Sequence, residues 1–485
     1  MPPLAEFFIL HLQLLSQSDV FANSVQWLSL VGCLIGLHGI CLRLHPRSQV
    51  SWISIIFCIT LPVVILQCTS TQNDLHLALW LVAIVYFALQ NVSKKSYPVW
   101  IGLALGLCLL TKGTAYLYVL PILLWVFLRM LPTLKLSVAG RIITIGCLAL
   151  LINLGHYQRN YSLFDSPLGS QKQQYLIETF TPSAALSGIV RDASMQFAFP
   201  IASANLPLQS AVQKLHQMIG QDINDPSTTY STTKAFRIEI LANHEDVAVN
   251  PLHATLLVLA WVMLLIIWLK RKKNQQHRRW MIYCFYITSG ALLLAVMLKW
   301  NPWVPRLYVP FFVLSCPVLA YALTRCLRSH PKIKRVAIYL LLLSIMPWVI
   351  CNHLRPIVQI DHEAALKKQF KLTGKSIFNM SRDSLYFANH PDLYPRYQAV
   401  AKTINASDIH NVQIIGKGDC WEYPLWVLLR THAGQTVRKL EHIHVDNESQ
   451  QISETNMPSQ PAWQVIIGNP RDKSIELVRP VKSLQ

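Results

Sequence analysis

Long runs of hydrophobic residues, each about the length of a helix, are separated by polar segments along this chain. A hydrocarbon core about 30 Å thick needs roughly 17 to 25 apolar residues in a helix. Runs at or near that length occupy residues 21–44, 52–68, 74–92, 97–110, 114–130 and 138–156. After a polar interval, four more occupy residues 251–270, 280–298, 307–324 and 336–354. The pattern therefore predicts an all-α polytopic domain over residues 21–354, with about ten transmembrane helices.

The polar parts of the chain differ from one another. Residues 1–20 are predicted to be an external segment, the end of a first external loop, and residues 157–250 a long external loop with a helix near 208–219. Beyond residue 354 the periods of helix and strand alternate. Helices are predicted near 361–372, 397–404 and 420–430, and strands near 412–415, 440–445, 463–467 and 474–478. Residues 355–485 are thus predicted to form a small α/β extracytoplasmic domain.

Composition places the chain in a membrane. It is 52% hydrophobic and 14% charged, which excludes a soluble globular protein of ordinary composition. Its net charge of +19 does not indicate nucleic acid, because the basic residues cluster in alternate short loops between apolar runs, as at Lys94, Lys95 and residues 270–273. Loops of that kind stay in the cytoplasm. The opposite loops and residues 355–485 are therefore predicted to lie outside.

Cysteine usage gives no sign of a cofactor. The chain has eleven cysteines, and all except Cys420 fall within or beside apolar runs, so that neither a disulfide framework nor a metal-binding CxxC pair is indicated. No cofactor or metal ligand set is identified, and a requirement for a divalent metal stays open.

Polar residues gather at the predicted external ends of the helices, where ionisable groups indicate function in a membrane protein. Asp74 opens a helix directly after an external turn. It is either a catalytic carboxylate or a helix cap, since a carboxylate suits the positive end of a helix. Lys112 interrupts an apolar run. It either binds an anion or extends its ammonium to the membrane surface.

Two further segments carry candidate chemistry. Lys299 and Arg306 lie in one short external loop, and an arginine can hold a phosphate through two hydrogen bonds. The two indoles in that loop are predicted to be residues of the membrane interface. His244, Glu245 and Asp246 could form a metal or acid/base cluster. Solvated loop positions are the favoured alternative for this triplet, because three adjacent side chains do not converge on one point.

These segments resemble motifs of the GT-C superfamily of polytopic glycosyltransferases, in particular bacterial relatives of protein O-mannosyltransferases (glycosyltransferase family 39) and of the aminoarabinose transferase of lipid A. The likeness spans nearly all of the membrane part. It is carried by the segments Pro2-Pro-Leu-Ala-Glu6, Ser70-Thr-Gln-Asn-Asp74, Leu110-Thr-Lys-Gly-Thr114, His156-Tyr-Gln-Arg-Asn160 with Ser166-Pro-Leu-Gly169, and Pro305-Arg-Leu-Tyr-Val-Pro310.

The resemblance implies a transferase in a bacterial inner or plasma membrane that takes a sugar from a polyprenyl phosphate. Its partners would be the lipid-linked sugar, membrane lipid and an unknown acceptor: a glycan, lipid or protein. By resemblance, Arg306, Lys299, Lys112 and Arg159 would hold the donor phosphate, while a carboxylate deprotonates the acceptor hydroxyl. The expected outcome is transfer with inversion.

The chain departs from the superfamily in one respect. The principal catalytic acid of these enzymes precedes the Pro-Pro segment, and this sequence starts at that segment. Glu6 and Asp74 are the acidic residues left near this edge and are the candidate catalytic carboxylates, although neither occupies the position of the missing acid. The chain is interpreted as incomplete at its start or catalytically inert. The alternatives are a transporter or flippase for a lipid-linked substrate and a non-catalytic membrane scaffold. A transporter is disfavoured because the two groups of helices show no repeat.

Overall fold

The computed structural model describes residues 2–46, 48–134, 137–170, 174–199, 202–230, 235–238, 242–270, 274–359, 372–430, 439–445, 450, 462–469 and 474–481. The predicted helix near 361–372 lies almost wholly outside these residues. Contacts divide the chain into two compact units. The membrane unit comprises Met1–Arg159 and Ser170–Val349, and the C-terminal unit comprises Asn160–Gly169 and Ile350–Gln485.

Helices dominate the first part of the chain. In order they are α1 (Leu4–Ser16), α2 (Ser24–Leu44), α3 (Ser48–Ile59), α4 (Pro62–Gln67), α5 (Asp74–Ala88), α6 (Tyr97–Thr111), α7 (Ala115–Leu134), α8 (Ser137–Phe164), α9 (Pro182–Met195), α10 (Ala202–Met218), α11 (Pro251–Lys270), α12 (Gln275–Met297), α13 (Val304–Leu307), α14 (Val309–Cys326), α15 (Pro331–Ser344) and α16 (Met346–Ile350). Among the described residues, seven spans are long and apolar enough to cross a membrane: α2, α7, α8, α11, α12, α14 and the pair α15–α16. Helices α1, α3, α5 and α6 are shorter and also apolar. The polytopic helical class is confirmed.

Two predicted segments differ in detail. The run at 52–68 is broken between α3 and α4, where Pro62 occupies the first turn of α4. Proline has no amide hydrogen to donate to the preceding turn, so it starts a new helix instead of continuing α3. The segment 1–20, predicted as part of a loop, contains the apolar helix α1.

Glycines on α2 set the position of α5. A Cβ at Gly32, Gly36 or Gly39 would lie 2.5, 2.3 and 2.6 Å from side-chain atoms of α5. Small residues at such spacing let two membrane helices approach closely, which compensates for the absence of a hydrophobic driving force between helices in lipid. The close packing of α5 fixes its first residue, Asp74.

The long loop of the membrane unit is folded onto the helices. Thr181 is the N-cap of helix α9, and its hydroxyl accepts a hydrogen bond from the amide of Ala184. Helix α9 approaches α12 so closely that a Cβ at Gly188 would lie 2.1 Å from the carbonyl oxygen of Ala295. Helix α10 begins several residues earlier than the predicted helix at 208–219. The loop therefore positions α9 beside the segment that follows α12.

The C-terminal unit is a small α/β fold, as predicted. Its described helices are α17 (Arg382–Leu385), α18 (Tyr394–Asn405) and α19 (Glu422–Arg430), with a 3-10 turn at Pro391–Leu393. Strands β1 (Asn411–Gly416), β2 (Lys439–His442), β3 (Ala462–Ile467) and β4 (Ile475–Val481) form one sheet in the order β2-β1-β3-β4. Strand β1 is parallel to β2 and β3, and β4 is antiparallel to β3. Val412, Ile414, Val465 and Ile467 pack under α18 and α19 in its core.

Candidate active site

The first charged pair of the site joins the ends of two apolar helices. Asp74, the first residue of α5, is fully buried and accepts hydrogen bonds from the ammonium of Lys112 and, at 3.3 Å, from Nε2 of Gln67. Lys112 follows directly on the last residue of α6. Burial lowers the pKa of Lys112, and the Asp74 carboxylate opposes that effect. An ion pair therefore accounts for both residues better than a cap or an ammonium extended to the surface.

The second charged pair involves the long loop. Nη1 of Arg306 donates to Oδ1 of Asp246 at 2.7 Å and to Oε1 of Gln72 at 3.1 Å. Gln72 in turn donates to the same Asp246 oxygen at 2.7 Å. The Asp246 amide donates to Nδ1 of His244 at 3.1 Å, while Glu245 is buried. The triplet 244–246 is thus built into the membrane unit, and its interpretation as solvated loop positions is wrong.

Three consecutive residues connect these pairs. Gln72 contacts Arg306, Asn73 donates to Oε1 of Glu6 at 3.1 Å, and Asp74 holds Lys112. Arg306 and Glu6 both act electrostatically on Lys112, in opposite directions. We call Glu6, Gln72, Asp74, Lys112, Asp246 and Arg306 the charged cluster. It places two cations and three carboxylates at one end of α5 and α6, an arrangement that can bind an anion.

Two of the predicted cations have other contacts. The ammonium of Lys299 pairs with Glu178, and its amide donates to the carbonyl of Tyr175 at 2.8 Å. Arg159 is exposed near the end of α8, where it acts electrostatically on His156. The next residue after Lys299, Trp300, is buried and donates to Sδ of Met195 at 3.0 Å. The prediction that this indole belongs to the membrane interface is wrong, because it packs in the core of the loop.

A buried carboxylate beside the charged cluster escaped the sequence analysis. Asp192 of α9 is 5% exposed and accepts from the hydroxyl of Tyr308 at 2.7 Å. Burial raises the pKa of Asp192 to about 7, although Tyr308 and Arg191 oppose the rise. Tyr118 lies within electrostatic range of both Asp74 and Asp192. Nothing in the pattern distinguishes Asp192 from other polar loop residues, because its burial depends on how α9 packs.

The chain is similar to two crystal structures of ArnT from Cupriavidus metallidurans. The complex bound to undecaprenyl phosphate is 11% identical with a TM-score of 0.43, over 91% of this chain and 79% of that chain. The apo state is 11% identical with a TM-score of 0.41, over 91% of this chain and 78% of that chain. ArnT is a GT-C glycosyltransferase, the superfamily that the sequence motifs resemble. No protein-family model and no curated protein sequence matches the chain.

The ionisable residues of the described ranges do not gather as a metal centre. No group of three or more His, Cys, Asp or Glu side chains within those ranges is arranged to hold a metal ion. In the charged cluster each carboxylate instead contacts an ammonium, a guanidinium or an amide. Its positive charge comes from side chains.

Proposed function

We propose that this protein is a membrane glycosyltransferase that moves a sugar from a polyprenyl-phosphate donor to an acceptor hydroxyl. The observation that carries this proposal is the charged cluster, where Lys112 and Arg306 lie together at the ends of apolar helices. Cations so close to hydrocarbon are costly, and their usual reason is a substrate. A lipid phosphate is the anion that a membrane supplies at this depth.

Arg306 is suited to hold the donor phosphate. Its guanidinium uses Nη1 for Asp246 and Gln72, whereas Nε is buried without a hydrogen-bond partner among the described residues. A phosphate oxygen can take the place of the Asp246 carboxylate, because both accept charge-assisted hydrogen bonds from the guanidinium fork. Lys112 adds a second positive charge. Arg159 and Lys299, also predicted to bind the phosphate, would act on the acceptor.

The same cations would promote the reaction. When the bond between the sugar and the phosphate breaks, negative charge grows on the leaving phosphate. Positive groups fixed in a poorly solvated site stabilise such charge more strongly than water does, since they need no reorganisation. A single attack by the acceptor hydroxyl inverts the anomeric carbon. The basic-loop pattern supports the outer face of the membrane as the side of this reaction.

The test is transfer from polyprenyl-phosphate hexoses by the full chain in lipid nanodiscs. Loss of a hydrogen bond to a charged group costs about 1.5–3 kcal/mol, so Arg306→Ala should lower kcat/KM by roughly 10- to 150-fold. Binding of undecaprenyl phosphate should weaken in parallel. Arg43→Ala, which removes an exposed arginine from the last turn of α2, is the matched control and should change neither value.

Two outcomes would contradict the proposal. Unchanged transfer and binding in the Arg306 variant would remove the phosphate assignment. Movement of the intact lipid-linked sugar across the bilayer, without cleavage of its phosphate bond, would instead identify the protein as a flippase.

A further inference from the structure

The carboxylates of the charged cluster already have hydrogen-bond partners. Asp74 contacts the ammonium of Lys112, and Asp246 contacts the guanidinium of Arg306. Both carboxylates are thus occupied by the cations that would bind the donor phosphate. Glu6 is exposed and accepts a hydrogen bond from Asn73. A sugar transfer nevertheless releases one proton from the acceptor hydroxyl, so the site needs another acceptor for it.

Asp192 lies in different surroundings. Its carboxylate accepts a hydrogen bond from Tyr308, at the junction of α13 and α14. Tyr118 of α7 and the neighbouring Arg191 interact with Asp192 electrostatically. Its neighbour Arg191 donates instead to the loop, to the carbonyls of Ile223 and Thr228 and to the hydroxyl of Thr229. The guanidinium therefore makes these hydrogen bonds to the loop, and it lowers the pKa of Asp192 less than the hydrogen bond from Tyr308 does.

Of the helices packed against α9, α13 carries Arg306, whereas the described contacts of α10 and α12 lie at Ser187 and Gly188, before Asp192. His216 of α10 bonds the hydroxyl of Ser187, on an earlier turn of α9, at 2.9 Å. Helix α12 meets α9 with its backbone at Gly188. Desolvation consequently dominates, and it raises the pKa of Asp192 to about 7. A base is most effective when its pKa lies near the working pH.

Tyr308 connects Asp192 with the phosphate side of the site. It follows Arg306 by two residues, and the carbonyl of the intervening Leu307 accepts from the hydroxyl of Tyr118 at 2.9 Å. Tyr118 also interacts electrostatically with Asp74. The phenol that contacts Asp192 is thus held in the same turn as the guanidinium that would bind the donor.

We propose that Asp192, acting through Tyr308, receives the proton of the acceptor hydroxyl during the sugar transfer; this role rests on the proposed function. The acceptor oxygen forms a bond to the anomeric carbon while the bond from that carbon to the phosphate oxygen breaks, and its electron pair leaves with the phosphate. The acceptor proton passes to the oxygen of Tyr308 as the Tyr308 proton passes to Oδ2 of Asp192. Tyr308 touches the acceptor, and Asp192 is a positioning residue that sets the basicity of this phenol.

The experiment measures the pH profile of transfer by the full chain in nanodiscs between pH 5.5 and 9. In the wild type, kcat/KM should rise through about pH 7 and then level off, because Asp192 must be ionised. Asp192→Asn still accepts the Tyr308 hydrogen bond but should lose the inflection and at least about 100-fold in kcat. Tyr308→Phe should show the same losses as Asp192→Asn. Asp192→Glu keeps a carboxylate and should retain the inflection and part of the wild-type kcat. All variants should bind undecaprenyl phosphate as the wild type does.

A matched control and a second measurement make the outcomes distinguishable. Asp225→Asn removes a carboxylate from the same loop and should keep the wild-type profile. Infrared difference spectra should show a carboxyl group titrating near pH 7 in the wild type and not in Asp192→Asn. An active Asp192→Asn variant that keeps the inflection, or the absence of that carboxyl band, overturns the role of Asp192 alone. A wild type without transfer from any donor overturns the proposed function and this role together.

Discussion

The pair formed by Asp74 and Lys112 allows a quantitative test of the site. Asp74→Asn keeps the size of the side chain and its ability to accept from Gln67, but removes the negative charge. The Asp74 side chain is fully buried, and that of Lys112 is 17% exposed. Removing one partner of a buried ion pair costs about 3–5 kcal/mol, because the other charge is left unpaired. The partial exposure of Lys112 places the expected loss near the lower end, at about 3 kcal/mol.

The assay is unfolding of the full chain in mixed micelles by increasing SDS. Asp74→Asn should show the full loss, whereas Asp74→Asn with Lys112→Met should return to within about 1 kcal/mol of the wild type, because no charge remains buried. The loss should also shrink as the pH rises toward 10.5. The pKa of Lys112 is lowered in the folded protein, and removal of Asp74 lowers it further. The unpaired ammonium therefore destabilises the folded protein most at low pH and progressively less as the pH rises toward 10.5.

An exposed ion pair provides the control. The side chains of Lys439 and Glu441 are 69% and 38% exposed, so Glu441→Gln should change the stability of the C-terminal unit by less than about 1 kcal/mol. The reasoning is refuted if Asp74→Asn costs no more than this exposed pair, or if the double substitution fails to recover stability. Either result would mean that Lys112 is solvated in the membrane.

Three further predictions use other parts of the membrane unit. Asp246→Asn removes the carboxylate that competes with a phosphate for the half-buried guanidinium of Arg306. Undecaprenyl phosphate should therefore bind about 2- to 5-fold more tightly in a direct binding assay, and weaker binding would contradict this. Gly188→Ala puts a methyl 2.1 Å from the carbonyl of Ala295 and should cost about 1–3 kcal/mol in SDS unfolding, whereas Gly146→Ala, where a Cβ meets nothing within 4 Å, should not destabilise. Asp192 has its pKa raised from 3.8 to about 7, so the wild type should lose stability between these pH values, because the carboxyl ionises in the unfolded chain but stays protonated in the folded one. Asp192→Asn should not lose stability in this way, and should be the more stable form at pH 8 by up to about 4 kcal/mol. The opposite order of stability at pH 8 would refute the assigned burial.

Much of the architecture follows from the spacing of apolar residues. Runs of that length have few alternatives to a membrane helix, because hydrocarbon tolerates no unpaired backbone groups. The strands at 412–415 and 463–467 were likewise predictable, since a short apolar run between turns fits a buried parallel strand. The break at Pro62 and the helix α1 were not predicted, because hydropathy averages over a single proline and a short helix.

The residues of the candidate site also include some that the sequence predicts and some that it does not. Asp74, Lys112 and Arg306 were predictable because ionisable residues beside apolar runs are rare. Their partners were not, since Gln72 and Asp246 are 174 positions apart in the sequence and only the folded loop brings them together. Asp192 is a further case. Its chemistry depends on burial by α9, and burial of a polar loop residue leaves no mark in the sequence pattern.

The shortness of α5 and α6 bears on the depth at which a lipid headgroup would be held. Each helix has 15 residues and so measures about 22 Å, whereas the hydrocarbon core of a bilayer is about 30 Å thick. If the turn at Lys94 and Lys95 lies at one surface, Asp74 and Lys112 would lie beneath the opposite headgroup plane. The bilayer would then thin locally, or the headgroup would sink toward the cations. Reconstitution in lipids of increasing chain length should accordingly raise the energetic cost of loading the donor.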